Sequence, residues 1–195
     1  MSAADVPPLT PASYPRGRAE VHPHDHAVFV YERTEELGEG LAHFIREGVA
    51  RHELSIFVHG FATDNEAWAF VERHLPDVRR LHKDEFVLVS LYREAFEGAA
   101  TRIDYARVTG VVGSLLDRAQ RTGRRGVRIF VDASRHYFDA RRDGEWFAFE
   151  SWLGRRLQAS AGLVCAYRHA DATRPDLFPE MLRTHAYRFE APRGA

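Results

Sequence analysis

His26–Gly60 reads HAVFVYERTEELGEGLAHFIREGVARHELSIFVHG: an apolar run, an amphipathic helix and a second apolar run. Leu37, Leu41, Phe44, Ile45 and Val49 recur at helical spacing and form one apolar face of a helix ending near His52. Thr34 can cap that helix, with Glu35 and Glu36 at its positive end. The first strand is expected over Ala27–Glu32. The second, Leu54–His59, is apolar with little alternation, as a central strand covered on both faces must be. Strand, helix and strand of this length read as a parallel βαβ crossover. The turn after it, Gly60–Trp68 (GFATDNEAW), stands where such folds bind phosphate or present a nucleophile.

Working outward, residues 1–20 carry Pro7, Pro8, Pro11 and Pro15 with no apolar periodicity, which predicts a flexible leader. His22, His24 and His26 alternate at extended-chain spacing, so they read either as a metal clip on one strand face or as a polar lead-in. Downstream, a helix over Asp64–Leu75 stops before Pro76. A strand over Phe86–Tyr92 follows, then a loop with a helical turn over Glu94–Arg102 and a helix over Asp104–Arg121 that Gly123 closes. Next come a strand over Val127–Val131, a helix over Gly144–Leu157, a strand over Gly162–Arg168, a short helix over Pro179–Thr184 and a strand over Ala186–Glu190. Strands alternating with helices predict one α/β domain over residues 21–191, a three-layer arrangement of a mostly parallel sheet with helices on both faces. Ligands of such sheets sit at the carboxyl ends of the strands, here Glu32, His59-Gly60, Tyr92, Asp132–Ser134 and Arg168-His169.

Composition narrows the function. The formal net charge of −1 gives no global reason for direct nucleic-acid binding. The single cysteine excludes an intramolecular disulfide and a cysteine-based zinc site. No apolar run approaches the roughly 20 residues of a membrane span, and the N-terminus has no signal-peptide core, so a cytoplasmic location without membrane contact is expected.

Several chemistries can be weighed residue by residue. The Gly60–Trp68 turn has one glycine, no lysine and an extra acid, Asp64, so it is not a standard phosphate loop, and no G-x-G-x-x-G occurs elsewhere. Val58-His59-Gly60-Phe61 is like the oxyanion turn of α/β-hydrolases, but no G-x-S-x-G nucleophile turn accompanies it. A hydrolase using His59 or His169 with Asp132 is the alternative activity. Asp132, at a strand end, can hold Mg²⁺, act as a base, or simply cap a turn with Ser134. Glu150 falls within the apolar stripe of Trp146, Phe149, Leu153 and Leu157. It needs a partner such as Arg128, Arg168 or His59 unless it reaches water at the stripe's edge. Cys165 reads as an inert core thiol. Trp68, Tyr92, Tyr137, Trp146, Phe147 and Trp152 suffice to line an apolar cavity or to pack a core.

HAVFVYERTEEL, FIREGVARHELSIFV, VRIFVDAS, FESWLGRRL, LVCAYR and the late His185, in this order and spacing, resemble the MEDS (methanogen/methylotroph, DcmR sensory) domain over residues 22–190. The family's recurring positions fall on His26, Tyr31, Phe44, Gly48, Glu53, Arg128, Glu150, Cys165, Tyr167 and His185. The resemblance implies a RecA/KaiC-like fold without a functional phosphate loop and a sensory or regulatory role. It also implies input to DNA-binding or anti-sigma/kinase output proteins, here as a stand-alone sensor or adaptor signalling through a partner chain.

The reading is therefore a non-catalytic domain that binds an unidentified small molecule or a regulatory protein, with no cofactor, no metal and a homodimer as one assembly open to it. The ligand-binding candidates are His26, Tyr31, His59, Asp132, Trp146, Glu150 and Arg168. A purely structural protein-interaction domain is the remaining alternative.

Overall fold

The structure, a computed structural model, describes residues 17–91, 93, 103–157 and 160–192. The seven strands among them are β1 (Gly17–Arg18), β2 (His26–Tyr31), β3 (Glu53–His59), β4 (Phe86–Ser90), β5 (Gly126–Asp132), β6 (Ala161–Arg168) and β7 (Tyr187–Phe189). They form one sheet in the order β1-β7-β2-β6-β5-β3-β4, and every pairing is parallel. The sheet is thus wholly parallel among the described residues, where a mostly parallel one was expected. The helices are α1 (Thr34–Ala50), α2 (Asp64–His74), α3 (Tyr105–Arg121), α4 (Ser134–Asp139), α5 (Asp143–Leu157), α6 (His169–Ala172) and α7 (Phe178–Thr184).

Crossover handedness assigns the helices to their faces. The chain moves one way across the sheet from β2 through β3 to β4, then back through β5 and β6 to β7. Right-handed connections therefore put α1 and α2 on one face and the later helices on the other. The cores agree. Leu37, Leu41, Phe44 and Phe70 pack with Phe29, Phe57 and Phe130 on the α1 face. Val108, Phe149, Leu153 and Met181 pack with Val28, Ile129, Leu163 and Cys165 on the α5 face. Side-chain alternation divides each strand between these two cores.

The opening βαβ unit is present, but its strands are not neighbours: β6 and β5 lie between β2 and β3. The α1 cap also differs from expectation. Arg33 is the N-cap and Thr34 the first helical residue, while Glu36 Oε2 accepts the Glu32 N–H at 2.9 Å. The two residues Gly17–Arg18, inside the expected leader, pair with β7 at the sheet edge. The short α4 and α6 carry no helical stripe for a sequence reading to find. Gly123 closes α3 with φ of 71°, a left-handed position that suits glycine. The expected elements at Tyr92 and Glu94–Arg102 and in residues 1–16 lie outside the described residues. No helix among the described residues is long and apolar enough to cross a membrane.

Candidate functional site

The carboxyl ends of β2, β3, β5 and β6 open into a cleft of about 600 Å³. Tyr31, Glu32, Gly60, Phe61, Asp132, Arg135, His136, Arg168 and His169 line it. Tyr31 ends β2 and donates its hydroxyl to Asp132 Oδ1 at 3.1 Å. Burial pushes the Asp132 carboxyl up to about 6, against the opposing pull of that hydrogen bond and of Arg135 and Arg168. Burial, followed by the neighbouring Asp132 carboxylate, raises the Tyr31 hydroxyl well above its ordinary value. Arg168 is held by Asp171 at 2.6 Å and by Asp139 at 2.8 Å. At the same end, Glu36 Oε2 accepts the Glu32 N–H beside the capping box that opens α1.

The histidines at this end pair elsewhere than on Asp132. His59 is fully buried, with Nε2 3.3 Å from Asp64 Oδ1 and Nδ1 accepting the Phe61 N–H at 3.3 Å. Burial lowers its pKa, with Asp64 opposing. His169 Nδ1 lies 3.8 Å from Glu32. No nucleophile–base pair built on Asp132 forms among these groups.

A second cluster lies on the α5 face, toward the amino ends of β2 and β6. Glu150, on α5, is 1 % exposed. Tyr167 on β6 donates its hydroxyl to Glu150 Oε1, and the Trp146 indole N–H donates to Tyr167 at 2.9 Å. His185, just after α7, places Nε2 3.3 Å from Glu150 Oε1. Its Nδ1 lies 2.7 Å from the Met181 carbonyl oxygen. His26 opens β2 with Nε2 3.5 Å from Cys165 Sγ, and its ring stands 4.4 Å from that of His185. Gly154 of α5 makes room for it, because a Cβ there would come within 2.9 Å of the imidazole. His26, Glu150, Cys165 and His185 offer ligand atoms that all lie within 4.8 Å of one another.

The environment sets the charge of each group. Burial and then His185 lower the His26 pKa to about 3, so the ring is neutral. Burial opposes ionisation of Glu150; a positive charge at His185 and the Tyr167 hydroxyl favour it and would hold the carboxyl below its usual range. Burial, then Glu150, drives the Cys165 thiol and the Tyr167 hydroxyl upward.

Residues 25–186 match the family described as MEthanogen/methylotroph, DcmR Sensory domain. The chain belongs to the MEDS family. No curated protein matches it. By the family's description, MEDS is a sensory domain. In this MEDS chain the seven ligand candidates read from the sequence fall into two groups. Tyr31, Asp132 and Arg168 meet in the carboxyl-end cleft, with His59 buried behind its wall. His26, Trp146 and Glu150 belong to the α5-face cluster, with Trp146 a buried hydrogen-bond donor rather than part of an open aromatic cavity.

The structure decides three points that the sequence left open. Glu150 is partnered by Tyr167 and His185, not by Arg128, Arg168 or His59, because α5 lies on the face of the sheet away from Arg128. Of the two readings of His22, His24 and His26, the polar lead-in is favoured over a clip on one strand face: a turn precedes β2, His24 has φ of 77°, and His22 contacts Glu20 and Arg51. Cys165 is buried as expected but faces His26 instead of apolar side chains alone. Sequence reasoning missed His185 and Tyr167 as partners of Glu150. Their signal was present only in the family's recurring positions.

Proposed function

We propose that this MEDS chain is a non-catalytic sensory domain that binds a small organic ligand with an acceptor or anionic end in the carboxyl-end cleft. It reports occupancy to a regulatory partner protein. The observation that carries this reading is the cleft itself. It falls within the size range of small-molecule sites and joins Tyr31, Asp132 and two arginines to the apolar Leu37, Phe61 and Ala62. A RecA/KaiC-like fold with a degenerate phosphate loop is part of the proposal. The two-faced, all-parallel sheet and the Gly60–Trp68 turn, with one glycine and no lysine, support it.

The test is a thermal-shift screen of small carboxylic acids, alcohols and nucleotides on the full chain, repeated with Arg135→Ala and Asp132→Asn. The reading expects a small organic ligand whose shift is lost in both variants. Turnover of ATP or of an ester by clean protein, abolished by Asp132→Ala, would contradict it.

A further inference from the structure

We propose that His26, Glu150, Cys165 and His185 form a four-coordinate site for a divalent d-block cation, with Zn²⁺ the best match. The first support is chemical. Two imidazoles, one thiolate and one carboxylate are a donor set suited to tetrahedral zinc. The single cysteine, read from composition as excluding a cysteine-based zinc site, excludes only sites needing two or more thiolates; here histidine and glutamate supply the other ligands.

Geometry supports it next. Zinc–ligand bonds of roughly 2.0–2.1 Å to N or O and 2.3 Å to S give tetrahedral edges of about 3.3 Å for N···O and about 3.6 Å for N···S. The His185–Glu150 contact is 3.3 Å and the His26–Cys165 contact is 3.5 Å. Both edges are already at the spacing the ion needs.

The strongest support is an unfilled valence. The Met181 carbonyl can only accept, so His185 Nδ1 carries a proton, which in the neutral ring leaves Nε2 as a bare lone pair. That lone pair faces the Glu150 carboxylate at 3.3 Å, and neither His185 Nε2 nor Glu150 Oε2 has a hydrogen-bond partner. Two acceptors facing each other in a buried site require a positive charge between them. A metal ion or a proton on His185 can supply it, and the other two ligands crowding the same point favour the metal. The supporting contacts are those typical of metal sites: a backbone carbonyl fixes the tautomer of His185, and the Tyr167 hydroxyl, itself held by Trp146, orients Glu150. A groove of about 390 Å³, lined by His24, Asp25, Ser151, Arg155 and Thr184 with both histidines, gives entry from solvent. On binding, the Cys165 thiol proton is released to water and the thiolate takes its place on the metal.

The test is a titration of chelator-stripped full-length protein with Co²⁺. The proposal expects one ion per chain, intense visible bands of tetrahedral cobalt and a near-ultraviolet thiolate-to-cobalt charge-transfer band. Cys165→Ser should lose the charge-transfer band while its far-ultraviolet circular dichroism stays unchanged. Tyr167→Phe, which leaves all four ligands in place, should weaken affinity about 10- to 100-fold. Should stripping unfold the chain, zinc measured in protein purified without chelator replaces the titration, and one per chain is expected. Only the pale spectrum of hydrated cobalt, a charge-transfer band that survives Cys165→Ser, or no zinc in the untreated protein would overturn the proposal and leave a protonated His185–Glu150 pair in its place.

Discussion

Arg128 and Glu150 are both 1 % exposed, on opposite faces of one sheet, and they are neutralised in different ways. Arg128, on β5, donates to the Phe44 carbonyl at 2.8 Å, to Glu47 at 2.9 Å and to the Val21 carbonyl at 2.9 Å. Its Nε lies 2.9 Å from Glu53, and its guanidinium stacks 4.6 Å from the centre of the Phe44 ring. Gly48 lets α1 approach, since a Cβ there would meet Arg128 Cδ at 2.8 Å and Ser55 Oγ closer still. The cation is matched by two carboxylates that the protein itself provides. Glu150 has one hydroxyl donor and a histidine whose lone pair faces it. Burial of a charge is therefore no sign of function by itself. What separates the two centres is the match of charge: Arg128 faces two carboxylates, whereas Glu150 meets one hydroxyl donor and His185, and both centres keep polar atoms without a hydrogen-bond partner.

This contrast can be broken by substitution. The largest effect is expected from Arg128→Met, which leaves Glu53 without its cation and Glu47 with Arg51 alone. Removing one partner of a buried pair costs about 3–5 kcal/mol. Urea unfolding should show that loss equally with and without a chelator.

At the other centre the chelator should matter. Wild-type protein should lose thermal midpoint when metal is removed, by an amount that grows with the metal concentration it is compared against. Glu150→Gln, by contrast, should show little chelator dependence, because its remaining ligands bind more weakly. Equal chelator sensitivity in wild type and Glu150→Gln would remove the distinction drawn between the two centres.

The smallest effect belongs to the cleft. The Asp132 carboxyl, raised to about 6 by burial, takes up its proton more readily in the folded than in the unfolded chain, where its value is about 3.9. Its contribution to stability is full below about pH 4 and is lost as pH rises through about 6. Asp132→Asn should abolish that fall, so unfolding free energies measured from pH 4 to 7 should rise more steeply with pH in the variant than in wild type. An unchanged pH dependence would mean that Asp132 is not desolvated as its place beside Tyr31 implies.

Much of this fold was legible because long apolar periodicities report helix and strand directly. The stripes of α1 and α3 and the uniform apolar run of β3 needed no tertiary information. Strand order did not follow from them. The βαβ reading leaves open how far apart its strands lie, and β5 and β6, encoded far downstream, insert between β2 and β3. The six residues of α4 are too few to show a stripe. At the site, Glu150 stood out as a carboxylate on an apolar helix face, which is a local signal. Its partners were not local. His185 reaches it only because α7 ends beside α5, and Cys165 meets His26 only through the β2–β6 register, in which Val28 pairs with Cys165 and His26 with Leu163. One strand pair, β2 and β6, carries the cluster toward its amino ends and Tyr31 and Arg168 at its carboxyl ends. The proposed metal centre and the carboxyl-end cleft thus share one strand pair.

Native mass spectrometry of gently purified protein tests the central claim most directly. One zinc ion per chain is expected in the wild type, absent from Cys165→Ser and His185→Gln chains that remain folded, and retained by Asp132→Asn, whose change lies in the cleft. A wild-type mass free of metal, or zinc retained by the Cys165 and His185 variants, would contradict it.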